Sequence, residues 1–192
     1  WYTNFTIWDK EFIMSVWYVI DHTEIGTGGA ASWNETSISA SYDHLCLRAS
    51  LRTERADYYE DGKINFNGDT GSNYSLTRLL FGGGETSMVS ERQSSQTKLG
   101  KWDMTGASAE AECFGTLSLW IPYYANTANY KSCFIQWGAN DVSNATTEFS
   151  TGILAGMWAS TAAINQITIA TNDGEDIAEH STFTLYGING AG

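Results

Sequence analysis

The feature that most restricts the fold of this chain is a two-residue alternation of apolar and other side chains in short segments. Leu117, Leu119 and Ile121 occupy every second position of one segment, and residues 181–188 (STFTLYGI) show the same period. Successive side chains of a β-strand point to opposite faces, so this alternation predicts strands with one buried face. Residues 44–51 (HLCLRASL) follow the same rule, and their leucine face is predicted to point inward.

Segments of this kind recur along the chain and are separated by clusters of Gly, Asn, Asp and Ser. The chain has 192 residues with 19 glycines and 1 proline, a composition that supplies turns without interrupting strands. About eight candidate strands at this spacing are typical of a sandwich. The predicted fold class is therefore all-β, a single-domain antiparallel β-sandwich of the jelly-roll type.

No internal repeat or linker divides the chain into two domains. Residues 17–192 are predicted to form the sandwich, and residues 1–16 an N-terminal arm or extension. For residues 1–13, an arm, a processed end and an artefact of numbering remain alternatives. Two stretches, 53–62 and 85–101, lack the alternation and are predicted to be loops.

The charge of the chain argues against two classes of partner. Its 22 acidic and 10 basic residues give a net charge of −12. Nucleic acids require clustered Lys and Arg to displace counterions from phosphates, so no binding to nucleic acid is predicted. An anionic membrane surface is disfavoured for the same reason, and no apolar run approaches the length that crosses a bilayer.

Four patches of the sequence, in the same order, are similar to a group of small structural proteins of tailed bacteriophages. They are residues 42–48 (YDHLCLR), 66–74 (FNGDTGSNY), 114–124 and the end from 158 to 188, which contains STFTLYGI. Together they span roughly residues 17–188. The resemblance implies a β-sandwich or jelly-roll component of the virion: a head decoration protein, a fibre protein or a related surface component.

The function expected from this resemblance is capsid decoration, in which the subunit cements the head without catalysing a reaction. The expected partners are other copies of the chain, as a homotrimer, and the major capsid protein or another virion protein. The expected location is the virion, assembled in the cytoplasm of the host bacterium. Because the first residues are too aromatic for a freely solvated tail, the expected contact residues are Trp1, Phe5, Trp8 and Phe12.

The alternative function is a receptor-binding or carbohydrate-binding module of a phage fibre or tail tip. Aromatic rings stack on sugars, and the candidates for contact with a host surface glycan are Tyr58, Tyr59 and Trp102. The competing interpretation is that most of these rings fill the core or a subunit interface, where aromatic residues are common.

The sequence contains no recognisable catalytic or cofactor motif. Neither Gly-x-Ser-x-Gly nor His-Glu-x-x-His occurs, so no enzyme activity and no cofactor are predicted. Asp69 lies in an oxygen-rich turn, but the spacing misses the EF-hand pattern. The favoured interpretation is an ordinary Asx-type turn without a metal, and Asp69 is the one candidate ligand should an ion bind.

Overall fold

The computed structural model describes residues 16–82, 88–140 and 149–189, which form twelve β-strands and no helix. The described part therefore contains no helix that could span a membrane. The all-β prediction is confirmed, and the predicted number of strands is too low. The strands are β1 (Val16–Glu24), β2 (Trp33–Thr36), β3 (His44–Leu51), β4 (Tyr59–Phe66), β5 (Tyr74–Gly82), β6 (Val89–Gln96), β7 (Leu99–Thr105), β8 (Gly115–Pro122), β9 (Lys131–Ala139), β10 (Ser150–Trp158), β11 (Gln166–Thr171) and β12 (Thr182–Asn189).

The strands form two antiparallel sheets, as the sequence predicted. The larger sheet has eight strands in the order β1-β12-β3-β8-β9-β10-β5-β6, and the smaller has four in the order β2-β11-β4-β7. Apolar side chains from both sheets form one buried core. The two sheets are therefore the layers of a sandwich.

Eight of the twelve strands have the connectivity of a jelly roll. Without β5, β6, β9 and β10, the larger sheet has the order β1-β12-β3-β8 and the smaller the order β2-β11-β4-β7. If these eight strands are counted one to eight along the chain, the two orders are 1-8-3-6 and 2-7-4-5. This is the double Greek key of jelly-roll domains. The four other strands, here called the extension, widen the larger sheet beyond β8.

The core consists of the residues at alternate strand positions that the sequence pattern assigned to it. In β3 the leucines and Ala49 are buried, whereas Arg48 and Ser50 are exposed. The predicted inward face of this segment is therefore confirmed. The largest fully buried side chains of the core are Trp102, Tyr74, Tyr124, Phe66 and Phe183.

The two stretches predicted to be loops contain strands. Residues 59–62 begin β4, where the inward positions are Glu60 and Gly62 rather than apolar residues. Residues 89–96 form β6, an edge strand with partly exposed polar side chains on both faces. Neither residues 59–62 nor β6 presents an apolar stripe, which is the signal on which the sequence prediction depended.

Candidate contact surface

The larger sheet has one face packed on the core and one face, here called the outer face, turned away from it. In β8, Leu119 and Ile121 are buried in the core, whereas Trp120 between them points outward and is partly exposed. Most large apolar side chains that are exposed in the described part of the chain lie on this face or at its rim. They are Trp17, Val19, Leu79, Phe81, Met88, Tyr123, Phe134, Ile153 and Met157.

One half of the outer face is an aromatic patch formed by Trp17, Tyr186, Trp120, His44 and Tyr123. The ring of Trp17 lies 5.5 Å from that of Tyr186 and 6.4 Å from that of Trp120. The His44 ring lies 5.3 Å from Trp120 and 4.8 Å from Tyr123. The backbone N–H of Tyr123 donates to His44 Nδ1 at 3.2 Å, which fixes the orientation of the imidazole.

The other half of the outer face, here called the extension patch, is aliphatic as well as aromatic. It consists of Phe134, Ile153, Met157, Leu79, Phe81 and Met88. Phe134 of β9 lies directly opposite Trp120 of β8, so the two patches meet. Between Leu79, Ile153 and Met88 the surface forms an open depression of about 340 Å³, large enough to accept an apolar side chain of a partner.

Within the described residues, the outer face carries no carboxylate between β12 and β6, although the chain has 22 acidic residues. Its charged strand positions there are Arg48 and Arg92, and the remaining polar positions are mainly Ser and Thr. Depletion of charge together with exposed aromatic residues is the composition of the centre of protein interfaces. Among the described strands from β12 to β6, the carboxylates therefore lie away from the apolar outer face.

Trp102, predicted to contact a glycan, is fully buried in the core. Its indole N–H donates to the backbone oxygen of Leu99 at 3.3 Å, and its ring packs over Gly62. The sequence placed Trp102 near the end of a strand with its ring available to a sugar, whereas it is an inward position of β7. The ring has no exposed face on which a sugar could stack, so the prediction for this residue is wrong.

Tyr58 and Tyr59 are half-buried at the start of β4, away from the outer face. Neighbouring residues of an extended chain point to opposite sides, so the two rings do not form one platform. Tyr59 lines a cleft of about 200 Å³ whose other side chains are Arg55, Asn172 and four carboxylates. No ring–ring contact links Tyr59 to the aromatic patch in the described part of the chain.

The predicted contact residues of the arm, Trp1, Phe5, Trp8 and Phe12, lie outside the described residues. The first described residue is Val16, which begins β1. The prediction for the arm therefore stays a prediction.

Asp69 is used as a hydrogen-bond acceptor inside its turn. Its carboxylate accepts from the indole N–H of Trp158 at 2.6 Å, the amide of Asn73 at 2.9 Å and the backbone N–H of Gly71 at 2.7 Å. These donors, the indole first, lower the pKa of Asp69. The described residues contain no group of three or more His, Cys, Asp or Glu placed to hold a metal, and three N–H donors suit a carboxylate rather than a cation.

A buried carboxyl that the sequence did not reveal lies between the two sheets. Asp103 of β7 accepts a hydrogen bond from the hydroxyl of Ser150, which in turn accepts from the indole N–H of Trp137 at 3.2 Å. Asp61 lies directly opposite on β4. Burial, reinforced by Asp61, raises the pKa of Asp103 to about 7, so this carboxyl holds a proton in mildly acidic solution.

A comparison of the chain with protein-family models, curated proteins and solved structures finds no match. The function of the chain is therefore argued from its own surface.

The sequence did not single out Trp17, Trp120 or Tyr186 of the aromatic patch as contact residues, although a signal was present. Trp120 and Phe134 stand at the outward positions of strands whose inward positions are already apolar. A strand that is apolar on both sides is either central to a two-sided core or covered by a partner. The outward aromatic residues thus marked the outer face before its geometry was known.

Proposed function

We propose that this chain is a non-enzymatic structural subunit of a bacteriophage particle, a capsid decoration or cement protein that binds through the outer face. The observation that carries the proposal is the continuous apolar surface without carboxylates formed by the aromatic and extension patches. The jelly-roll connectivity supports it by analogy, because this architecture recurs in capsid proteins and lectins. The resemblance of the sequence to phage structural proteins points the same way.

Binding would be driven by burial of the outer face. Apolar area removed from water contributes about 25 cal/mol per Å² before the costs of association. Exposed aromatic residues such as Trp120 and Phe134 are the side chains that most often dominate interface energies. The proposed partners are the major capsid protein or another virion protein and further copies of this chain, and the homotrimer remains a prediction.

The test is occupancy of the particle. Phage particles that encode the chain are purified from cells carrying the wild-type gene or a Phe134→Lys/Ile153→Lys variant, and the subunit is quantified by mass spectrometry. Both residues are partly exposed, at 40% and 38%, and two charges in an apolar interface are expected to lower occupancy by an order of magnitude or more. Absence of the wild-type chain from particles would refute the proposal.

A control variant tests whether an added charge away from the outer face also lowers occupancy. Ala56→Lys adds the same kind of charge at an exposed position of the loop before β4, and we expect it to leave occupancy unchanged. Circular dichroism and thermal unfolding of each purified variant establish that the sandwich is intact. Equal occupancy of the double variant and the control would show that the outer face does not bind the particle.

The aromatic patch favours a second candidate function, binding of a host glycan. Trp17 and Tyr123 are 47% and 64% exposed, and Trp120 lies between them with Arg48 and Ser118 nearby on β3 and β8. Exposed aromatic rings beside polar groups are the elements of a sugar site. A glycan array of the full chain tests this, since binding lost in Trp120→Ala and kept in Tyr59→Ala would assign the site to the outer face.

A further inference from the structure

β1 is one of the two edge strands of the larger sheet, and it is the least protected of the four sheet edges in the described part of the chain. In the described part of the chain it pairs with β12 alone, so the other side of its backbone presents hydrogen-bonding groups without a strand partner. Its first residues, Val16, Trp17, Tyr18 and Val19, are 44%, 47%, 46% and 60% exposed. Four consecutive exposed apolar residues on an edge strand form a template for pairing with another strand.

The other three sheet edges carry features that oppose such pairing. β6 has the adjacent charges Glu91 and Arg92 and an irregular register against β5. β2 is only four residues long and includes Glu35. β7 packs against β9 and β10 and has Lys101 in a left-handed conformation, with φ of 68°. Charges, shortness and irregular backbone are the devices that protect edges, and residues 16–19 have none of them.

The positions of the charged residues in β1 favour pairing with a second β1 strand, and they favour the antiparallel direction. Residues 16–20 carry no charge, and Asp21 follows a register shift after Val19. If two β1 strands pair antiparallel about Tyr18, the two Asp21 residues stand roughly 20 Å apart, at about 3.4 Å per residue. That distance exceeds the screening length of about 8–10 Å in physiological salt. Parallel pairing in register would place the two carboxylates side by side.

We propose that two copies of this chain pair through β1, antiparallel, so that their larger sheets continue into one sheet across the dimer. The apolar segment 16–19 is matched by an identical apolar segment. Pairing places the side chains of the two segments next to each other on both faces of the joined sheet. Trp17 lies on the outer face against Tyr186, and Tyr18 lies on the opposite side with its ring 5.8 Å from that of Tyr42. The inference depends on the strand edge alone and not on binding to a phage particle, and a dimer would replace the homotrimer expected from the sequence.

The first test is the native mass of the full chain, measured by light scattering at micromolar concentration. The chain has a mass of 21.1 kDa, and we expect twice that mass for the wild type. Val19→Lys places a charge on the most exposed position of the segment and is expected to give a monomer. Ala56→Lys, at an exposed position of the loop before β4, is the matched control and is expected to stay dimeric.

The second test is hydrogen exchange of the peptide that contains residues 16–20. We expect slow exchange in the wild type and in Ala56→Lys, and exchange faster by an order of magnitude or more in Val19→Lys, with thermal unfolding confirming that each variant is folded. A monomeric wild type would overturn the proposal, even if its β1 amides exchange slowly. A trimer, or a dimer unaffected by Val19→Lys, would overturn it as well.

Discussion

Gly62 of β4 lies directly opposite Trp102 of β7, and a methyl group at residue 62 would come within 2.4 Å of the indole ring. The largest fully buried side chain of the core is therefore accommodated because its neighbour across the strand pair has none. This contact explains why Trp102 serves the interior of the sandwich rather than a ligand.

Replacing Gly62 by alanine is expected to destabilise the protein by roughly 1–3 kcal/mol, because the indole must move within a packed core. Urea unfolding measures the change. Gly26→Ala is the control: nothing lies within 4 Å of a Cβ at that position, and a more restricted unfolded chain leaves stability equal or slightly higher. Equal stability of Gly62→Ala and the wild type would contradict the packing described.

Arg52 organises the segment between β7 and β8 through its guanidinium. Nη1 donates to the backbone oxygens of Glu110 at 2.6 Å and Cys113 at 2.9 Å, and Nη2 to those of Ala107 at 3.0 Å and Ala109 at 2.8 Å. The residue is only 8% exposed. A planar fork of donors is needed to reach four carbonyls in this arrangement.

Arg52→Lys keeps the charge but loses the fork, and we expect it to cost roughly 2–4 kcal/mol, since hydrogen bonds to buried charged groups are worth more than neutral ones. Hydrogen exchange should accelerate across residues 107–113. The exposed Arg92 provides the comparison, because Arg92→Lys is expected to leave both quantities unchanged. Equal urea midpoints for Arg52→Lys and Arg92→Lys would contradict the role assigned to the Arg52 guanidinium.

The protonated Asp103 makes stability depend on pH in an identifiable direction. Its folded-state pKa is about 7, raised from 3.8 by burial and by Asp61. The folded state therefore keeps a proton that the unfolded state releases near pH 4, so this contribution is complete below that pH and is lost as pH rises to about 7. Each pKa unit corresponds to about 1.4 kcal/mol, so the loss amounts to a few kcal/mol at most.

Asp103→Asn is expected to remove this contribution, because the amide is neutral at every pH and its oxygen still accepts the hydroxyl of Ser150. The difference in unfolding free energy between Asp103→Asn and the wild type should widen in favour of the variant from pH 4 to pH 7 and stay constant above. Urea unfolding across this range measures it. A difference independent of pH would show that Asp103 is ionised throughout.

The turn at Asp69 is expected to be stable without a metal. Asp69→Ala leaves the buried indole N–H of Trp158 without its acceptor, at a cost of about 1–3 kcal/mol. Millimolar calcium is expected to leave the melting temperature of the wild type unchanged, and so is a chelator. A rise in melting temperature with calcium that disappears in Asp69→Ala would instead assign an ion to this turn.

The parts of the fold that follow a simple period could be predicted from the sequence. The leucines of β3 and the apolar positions of β8 indicated inward faces correctly, because burial of one side of a strand leaves a two-residue pattern. The first half of β4 and all of β6 were missed, because Glu60 and Gly62 stand at inward positions of one and polar residues cover both sides of the other. Their strand state is imposed by neighbouring strands, which a local pattern does not record.

The sequence predicted the type of residue that forms the candidate surface, but not where in the fold this surface lies. Aromatic abundance indicated that rings would serve the core or an interface, and their use in the core is confirmed. Trp102 stands between Lys101 and Asp103 and is buried, whereas Trp120 stands between Leu119 and Ile121 and faces outward. The difference depends on which strands lie opposite, and pairings such as Gly62 with Trp102 join residues far apart in the chain.

The most direct test of the outer face as a binding surface is hydroxyl-radical footprinting of the chain, free in solution and assembled on phage particles. Oxidation of Trp120, Phe134 and Phe81 is predicted to fall severalfold on assembly, because these side chains would lose their contact with water, while Tyr58 stays equally reactive. Outer-face residues that are oxidised as readily on the particle as in solution would contradict the account.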